Sequence, residues 1–228
     1  MISVILPTRN DELALAHALA ALVPAAADGM VREVIIADGG STDGTLEVAD
    51  AAGCRILLGE GTLGESLAAA AAGARSDWLL FLSPRSVLEP GWQNEAHDFM
   101  ERIAMAGRGG ERAAVFRHAR PGFGLGSRLA ELGSALRSRL FAAPYLEEGL
   151  LVPAGLYRQL GGHRPLTGMV EVDLARRIGR RRLVFLRSRA VLREEGARGG
   201  AVRGLRNTAC LALYVLRLPP GWIGRLAA

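Results

Sequence analysis

The sequence predicts an α/β domain with a mainly parallel sheet flanked by helices, because short apolar runs alternate with helical patterns near its N-terminus. The apolar runs occupy residues 2–6, 34–37, 54–58 and 78–82. They are short and unbroken, as in strands buried on both faces of a parallel sheet. Helical patterns lie between them, at residues 13–22, 45–52 and 65–74. Strand–helix alternation at this spacing is typical of a parallel sheet covered on both faces.

Length and composition are consistent with one globular domain and a small addition. The chain has 228 residues, half of them apolar, which is enough to bury a full core. We expect the domain to cover residues 1–195 and a small C-terminal helical appendage to cover residues 196–228. Further strands and helices of the domain are expected at residues 93–106, 113–118, 127–140, 183–186 and 190–192.

The appendage contains an apolar run at residues 207–218, which is too short to span a bilayer. Arg198, Arg203 and Arg206 precede this run. Arginines ahead of an apolar helix are typical of segments that lie in a membrane interface. The same segment could also pack on the domain or on a second copy of the chain. Peripheral membrane contact and an oligomer are therefore both open.

Charge and cysteine content indicate the partners and the compartment. The net charge is +5 at pH 7, and every basic residue is an arginine. Guanidinium groups suit phosphates, so diphosphates, a lipid surface or nucleic acid would each suit this charge. Of these, nucleic acid is not among the partners that we predict. Cys54 and Cys210 are far apart and lack metal-type neighbours, as expected of reduced thiols. The chain starts directly in a strand, so we expect a cytoplasmic protein, with the inner face of a membrane as a further location.

Polar loops follow the first two predicted strands. Residues 7–12 read PTRNDE, and residues 38–45 read DGGSTDGT. Open α/β sheets bind ligands at the carboxyl ends of their strands. The glycines let the backbone approach a ligand closely, and Asp38 offers a carboxylate to a ribose or a base. The alternative is a polar turn in which Asp43 or Ser41 is the N-cap of the next helix.

The segments SVILPTRNDE and EVIIADGGSTDGT together resemble the opening of the family 2 inverting glycosyltransferases of GT-A fold. The resemblance implies a fold that binds a nucleotide-diphosphate sugar. It also implies that the first loop and the Asp after the second strand hold the nucleotide. The donor-binding residues implied in this way are Pro7, Thr8, Arg9, Asn10, Glu12, Asp38, Gly39 and Ser41. No G-x-G-x-x-G follows the first strand, so the pattern differs from a dinucleotide-binding fingerprint.

The chain departs from this family after the fourth predicted strand. Family members carry a D-x-D type motif there, whose last Asp binds Mg²⁺ or Mn²⁺ on the donor diphosphate. Here the segment reads SPRS, and Arg85 occupies the place of the metal-binding Asp. Arg85 could contact the diphosphate directly in place of the metal. Alternatively, the site is degenerate and inactive, or Arg85 is a solvated loop residue. No cofactor is therefore certain: Mg²⁺ or Mn²⁺ stays an option although the metal-binding Asp is missing, and no metal-binding residue is predicted.

Carboxylates in the second half complete the predicted site. PYLEEG resembles a family loop that faces the donor sugar and acceptor, with Glu147 in the place of an Asp. MVEVDLARR resembles the family's E-D-V-D-L helix start, whose Asp is the general base, and Glu171 stands at that position. The resemblance therefore implies Glu171, Asp173 and Glu147 as catalytic residues. Glu171 and Asp173 are also favourable first-turn residues of a helix, which is the competing interpretation.

The resemblance implies an inverting glycosyltransferase, of the hexosyltransferase type, with atypical or absent metal dependence. Its donor would be a nucleotide-diphosphate sugar. Its acceptor is unknown, with polyprenyl-linked or cell-envelope glycans as options. The alternative is a catalytically inactive relative that binds a nucleotide or glycan or acts as a partner subunit. The sequence does not name the sugar, the acceptor or the oligomeric state.

Overall fold

The computed structural model describes residues 1–59, 61–107, 112–119 and 146–193. The helix predicted at 127–140, the appendage at 196–228 and the domain boundary at 195 lie outside the described residues.

The described residues form one sheet with helices on both of its faces. The strands are β1 Ile2–Thr8, β2 Val31–Asp38, β3 Arg55–Leu58, β4 Trp78–Phe81, β5 Ser86–Leu88, β6 Ala113–Ala119, β7 Leu150–Pro153 and β8 Leu183–Leu192. The helices are α1 Glu12–Ala27, α2 Thr45–Ala51, α3 Leu63–Ala72, α4 Trp92–Met105, α5 Ala154–Gln159 and α6 Val170–Ile178. Short 3-10 turns cover Leu146–Glu148 and Arg180–Arg182.

The strand order in the sheet is β3-β2-β1-β4-β7-β6-β8-β5. The first four strands are parallel, as the sequence predicts. β7 is antiparallel to both of its neighbours, β4 and β6, and β6 is parallel to β8. It follows that β1, β2, β3, β4, β6 and β8 all end at the same edge of the sheet. We call this edge the carboxyl edge.

The structure corrects one expectation about the strands and adds a strand that was not predicted. Residues 183–186 and 190–192 belong to one continuous strand, β8, rather than to two. The register between β6 and β8 shifts beyond Val115, and Glu95 of α4 binds the irregular part of β8 by accepting the backbone N–H groups of Arg187 and Ser188. In addition, residues 86–88 form strand β5, which pairs with the end of β8.

Apolar side chains fill the space between the sheet and the helices on each face. One cluster packs α1 and α4 against the sheet and includes Leu15, Trp92 and Phe99. The other packs α3, α5 and α6 against the opposite face and includes Leu67 and Tyr157. Strand β1 is buried along its whole length, as expected for a central strand of a covered parallel sheet. At the carboxyl edge of this sheet, the loops that follow β1, β2 and β4 lie close to the turn at Leu146–Glu148 from the second half of the chain.

Candidate functional site

The loops after β1 and β2 are joined to each other by hydrogen bonds at the carboxyl edge. The Gly39 N–H donates to the Thr8 carbonyl oxygen over 2.9 Å. Asn10 lies in the left-handed region with φ 55°, and its N–H donates to Ser41 Oγ over 2.9 Å. Its side-chain Oδ1 accepts the Thr42 N–H over 2.8 Å. The side chains of Asn10 and Ser41 therefore hold the two loops together.

The starts of α1 and α2 are joined in the same way. The Glu12 N–H donates to Asp43 Oδ2 over 3.2 Å, and Glu12 Oε2 accepts the Gly44 N–H over 3.1 Å. A Cβ at Gly44 would lie 2.6 Å from the carboxyl carbon of Glu12, so a side chain at this position would displace the Glu12 carboxylate from its contact. Asp43 Oδ1 also accepts the N–H of Thr45, the first residue of α2. The N-cap of α2 is Gly44 and not Asp43 or Ser41, so the capping alternative is wrong, although the Asp43 carboxylate does contact the start of the helix.

Asp38 is completely buried at the end of β2. Its carboxylate accepts hydrogen bonds from the hydroxyls of Thr8 and Ser41 and from the N–H groups of Gly40 and Ser41. Burial alone would raise the pKa of Asp38, but these donors outweigh it and hold the pKa below its usual value. The ionised carboxylate therefore organises the loop, and a nucleoside that binds Asp38 has to replace one of these donors.

Arg85 joins this cluster from the loop between β4 and β5. Its Nε donates to Asp11 Oδ1 over 2.9 Å, and the Arg85 side chain remains about half exposed. On the far side of Arg85, Ser86 Oγ donates to the carbonyl oxygen of Glu147 over 2.9 Å. The Ser83 N–H donates to the Leu146 carbonyl oxygen over 3.2 Å. These contacts bring the turn that contains Glu147 to the same edge.

Glu171 is buried in the first turn of α6, and its Oε1 has no hydrogen-bond partner among the described residues. Burial raises the pKa of Glu171 to about 8; its own backbone N–H opposes the rise and the charge of Glu147 adds to it. Met169, immediately before the helix, has φ 57°, which is uncommon for a residue other than glycine. A carboxyl that loses its proton near neutral pH is suited to general-base chemistry.

Asp173, two residues after Glu171, is buried in a different environment. Its Oδ2 lies 2.7 Å from an Arg177 guanidinium nitrogen, and its Oδ1 lies 3.3 Å from Arg164. Arg177 also donates to the Leu160 carbonyl oxygen over 2.6 Å. Two guanidinium groups therefore balance the charge of Asp173, and its ion pair with Arg164 links α6 to the segment between α5 and α6. Of the two carboxylates, Glu171 is the one with an unoccupied oxygen.

The segment between α5 and α6 packs against the start of α3. The Gly64 N–H donates to the Leu166 carbonyl oxygen over 3.0 Å, and a Cβ at Gly64 would overlap the carbonyl oxygen of Arg164. Beneath this segment, the Tyr157 hydroxyl lies 2.9 Å from His163 Nδ1. Burial and, to a smaller extent, the charge of Arg177 lower the pKa of His163 to about 3, although the charge of Asp173 opposes the shift. His163 is therefore neutral and structural at physiological pH.

The described residues at this edge form no cluster of metal-ligating side chains. Among the described residues, no group of three or more His, Cys, Asp and Glu side chains could hold a metal ion. Arg85 occupies the sequence position of the metal-binding Asp and is paired with Asp11.

None of the described helices has the length and apolar character needed to span a membrane.

Comparison with known protein families identifies the fold family. The profile of the family described as glycosyl transferase family 2 matches residues 3–122, more than half of the 228 residues. The chain belongs to glycosyltransferase family 2. The matched region includes both loops of the cluster and Arg85. None of the curated proteins compared has a significantly similar sequence.

Solved structures extend the likeness beyond the profile match. A glucosyl-3-phosphoglycerate synthase from Mycobacterium tuberculosis, in complex with Mn²⁺, UDP and glucosyl-3-phosphoglycerate, has a TM-score of 0.64 and 23% identity, over 96% of this chain and 81% of that chain. The same synthase with Mn²⁺ and UDP-glucose has a TM-score of 0.66 and 22% identity, over 96% of this chain and 80% of that chain. The predicted GT-A-like α/β fold of this glycosyltransferase family member is therefore confirmed.

The structure brings the predicted site residues of this family member to one edge but gives them different environments. Pro7 and Thr8 are buried at the end of β1, whereas Arg9 and Gly39 are exposed beside each other. Asn10, Glu12 and Ser41 contact other loop residues, and their roles in donor binding stay predictions. Sequence reasoning missed Asp11, although it lies in the same loop. The signal that could have found it was an acidic residue within a loop already predicted to bind the donor, whereas its pairing with Arg85 required the structure.

We expect Asp38→Ala to weaken nucleoside diphosphate binding by roughly 1.5–3 kcal/mol, the value of charge-assisted hydrogen bonds. The change leaves the Gly40 and Ser41 N–H groups without their acceptor, so the loop loses its bound shape. Isothermal titration of the folded variant with UDP and GDP measures the effect. Asp50→Ala, at an exposed position of α2, is the matched control. Unchanged affinity in Asp38→Ala would contradict the assignment.

Proposed function

We propose that this protein transfers a sugar, with inversion, from a nucleoside diphosphate sugar to an acceptor hydroxyl. The observation that carries the proposal is Glu171, a buried carboxyl with an unpartnered oxygen and a pKa raised to about 8. The charge of Glu147 acts on Glu171, and the Glu147 carbonyl oxygen accepts the hydroxyl of Ser86. The neighbouring Arg85 is paired with Asp11 in the loop after β1. Membership of glycosyltransferase family 2 supports the same reaction.

The donor is proposed to bind across the ends of β1, β2 and β4. The loop at residues 7–12 and the residues Asp38, Gly39 and Ser41 are proposed to surround the nucleoside. Arg85 is proposed to contact the diphosphate, because a guanidinium can donate two parallel hydrogen bonds to phosphate oxygens. The UDP and UDP-glucose complexes of the structural neighbours support a donor of this class.

The chemistry assigns one role to each charged group. Ionised Glu171 accepts the proton of the acceptor hydroxyl as its oxygen attacks the anomeric carbon. The bond from the anomeric carbon to the diphosphate breaks on the opposite face of the sugar, and the nucleoside diphosphate leaves. Negative charge grows on the leaving oxygen, and a fixed cation such as Arg85 stabilises it there.

A second candidate is a catalytically inactive family member that binds a nucleotide or a glycan or acts as a partner subunit. It is favoured by Arg85 at the position of the metal-binding Asp. The acidic residue before Glu171 in the family pattern is also absent, since Val170 stands there. The two candidates differ in turnover: only the first releases nucleoside diphosphate from a bound donor.

Incubation with a panel of UDP-, GDP-, ADP- and dTDP-sugars tests the proposal. We expect one donor class to bind and to release its nucleoside diphosphate in the presence of an acceptor. Nuclear magnetic resonance of the product should show the anomeric configuration inverted relative to the donor. Saturable donor binding without release across a broad acceptor panel would favour the inactive candidate. No binding of any donor would overturn the proposal.

A further inference from the structure

Two arginines lie opposite each other where β5 and β8 reach the carboxyl edge. The two strands are antiparallel, and Ser86 is opposite Leu192. The register continues by one residue to Arg85 and Arg193, and the Arg193 N–H donates to the Arg85 carbonyl oxygen over 2.9 Å. Opposite residues of an antiparallel pair project to the same face, with Cβ atoms about 4.5–5.5 Å apart. Arg85 and Arg193 lie one residue beyond the paired strands, so their side chains start from neighbouring backbone positions that this hydrogen bond joins.

Among the described residues, only one of these two positive charges has an acidic partner. Like charges directly opposite each other in a sheet destabilise it. Asp11 balances Arg85, with 2.9 Å between Arg85 Nε and Asp11 Oδ1. Arg193 is exposed, and no carboxylate of the described residues forms an ion pair with it. A bound anion would therefore remove a repulsion that the strand pairing itself creates.

We infer that Arg193 is a second diphosphate-binding residue, which together with Arg85 forms a metal-independent clamp on the nucleoside diphosphate. The inference rests on the proposed function, because it assigns a further contact within the proposed donor site. Each guanidinium can bind one phosphate with two hydrogen bonds. Two neighbouring guanidinium groups therefore match the two phosphates of a diphosphate better than a single guanidinium does. The clamp supplies positive charge to the diphosphate without a metal ion. The described carboxylates and histidines form no cluster that could hold such an ion.

The position of Arg193 relative to the rest of the site supports a diphosphate as the ligand. Arg85 contacts the loop that follows β1 through Asp11, so the arginine pair flanks the loops proposed to hold the nucleoside. On the other side, the Glu147 carbonyl accepts the Ser86 hydroxyl, so the turn next to Glu171 also borders the pair. A diphosphate at the arginine pair would thus lie between the nucleoside loops and the proposed base.

The test is titration of the full-length protein, in EDTA, with the tightest-binding nucleoside diphosphate among UDP, GDP, ADP and dTDP, and with its nucleoside. We expect Arg193→Gln to raise the Kd of the diphosphate at least about tenfold and to leave the Kd of the nucleoside unchanged. Arg193→Lys keeps the charge but loses the fork, so an intermediate Kd is expected. Arg181→Gln is the matched control, because Arg181 is exposed and precedes the opposite end of β8.

The outcomes separate the inference from the proposed function. Diphosphate affinity that is equal in the wild type and in Arg193→Gln would overturn the role of Arg193 and leave the proposed function standing. An equal loss in Arg193→Gln and Arg181→Gln would show a general effect of net charge, and would also overturn it. No binding of any nucleoside diphosphate by the wild type would overturn the proposed function, and the inference with it.

Discussion

Glu171→Gln should lower the rate of sugar transfer by about 10²–10⁴-fold, the usual contribution of a general base, while nucleoside diphosphate affinity stays unchanged. Glutamine keeps the size of the side chain but cannot accept the proton. Because burial raises the pKa of Glu171 to about 8, wild-type kcat/KM should increase with pH and level off above about pH 8. Rates measured from pH 6 to pH 9.5 check both expectations.

A conservative change and a remote change complete this experiment. Glu171→Asp keeps the carboxylate but moves it by about a bond length, so we expect partial activity, because positioning is demanding. Glu47→Gln, at an exposed position of α2, should leave the rate unchanged. If Glu171→Gln retains wild-type turnover, Glu171 is not the base, and Glu147 becomes the next carboxylate to replace.

Glu171→Gln should also make the protein more stable than the wild type at high pH. A carboxyl whose pKa is raised from 4.5 to about 8 keeps its proton in the folded chain at pH values where the unfolded chain has lost it. The free energy of unfolding should therefore fall between these two pKa values, by roughly 1.4 kcal/mol per pH unit. The loss is absent below pH 4.5 and complete above about pH 8. Glu171→Gln removes it.

Urea denaturation of both proteins at pH 5 and pH 8.5 measures this effect. We expect Glu171→Gln to gain stability over the wild type mainly at pH 8.5. A stability difference that does not change with pH would contradict the raised pKa. The comparison isolates Glu171, because other groups with shifted pKa values, such as His163, are present in both proteins.

The second large effect concerns Arg85 and the metal. We expect nucleoside diphosphate affinity in the wild type to be the same in EDTA and in Mn²⁺, because the guanidinium repels a cation and can contact the phosphates directly. Arg85→Asp should weaken binding in EDTA by more than the roughly 1.5–3 kcal/mol of the lost hydrogen bonds, since the new carboxylate also repels the diphosphate. Isothermal titration with and without Mn²⁺ measures both effects.

Manganese should restore part of the binding in this variant. Arg85→Asp places a second carboxylate beside Asp11, and hard oxygen ligands suit Mn²⁺. Arg85→Gln is the control, since it removes the guanidinium without adding a metal ligand, and Mn²⁺ should not rescue it. Strong Mn²⁺ dependence in the wild type would show that other residues supply the ligands. Asp43, Glu147 and Glu171 would be the first to test.

Local features of the chain made the α/β architecture and the polar loops predictable. Strand and helix signals depend on periodicity within a few residues, and the four parallel strands β1 to β4 follow from such signals. The residue types of the loops after β1 and β2 mark turns in the same way. These features do not depend on distant parts of the chain, so the sequence alone was enough to locate them. The family resemblance rests on the same features.

The sequence by itself thus determined the fold class, the family and the edge at which the candidate site lies. Only the tertiary structure decided the insertion of antiparallel β7 between β4 and β6, the continuity of β8 next to Glu95, and the opposition of Arg85 and Arg193. It also decided that Asp38 is surrounded by donors, that Asp173 is paired with arginines and that Glu171 keeps an unpartnered oxygen. The physical reason is that pairing, burial and pKa depend on contacts between residues far apart in the chain.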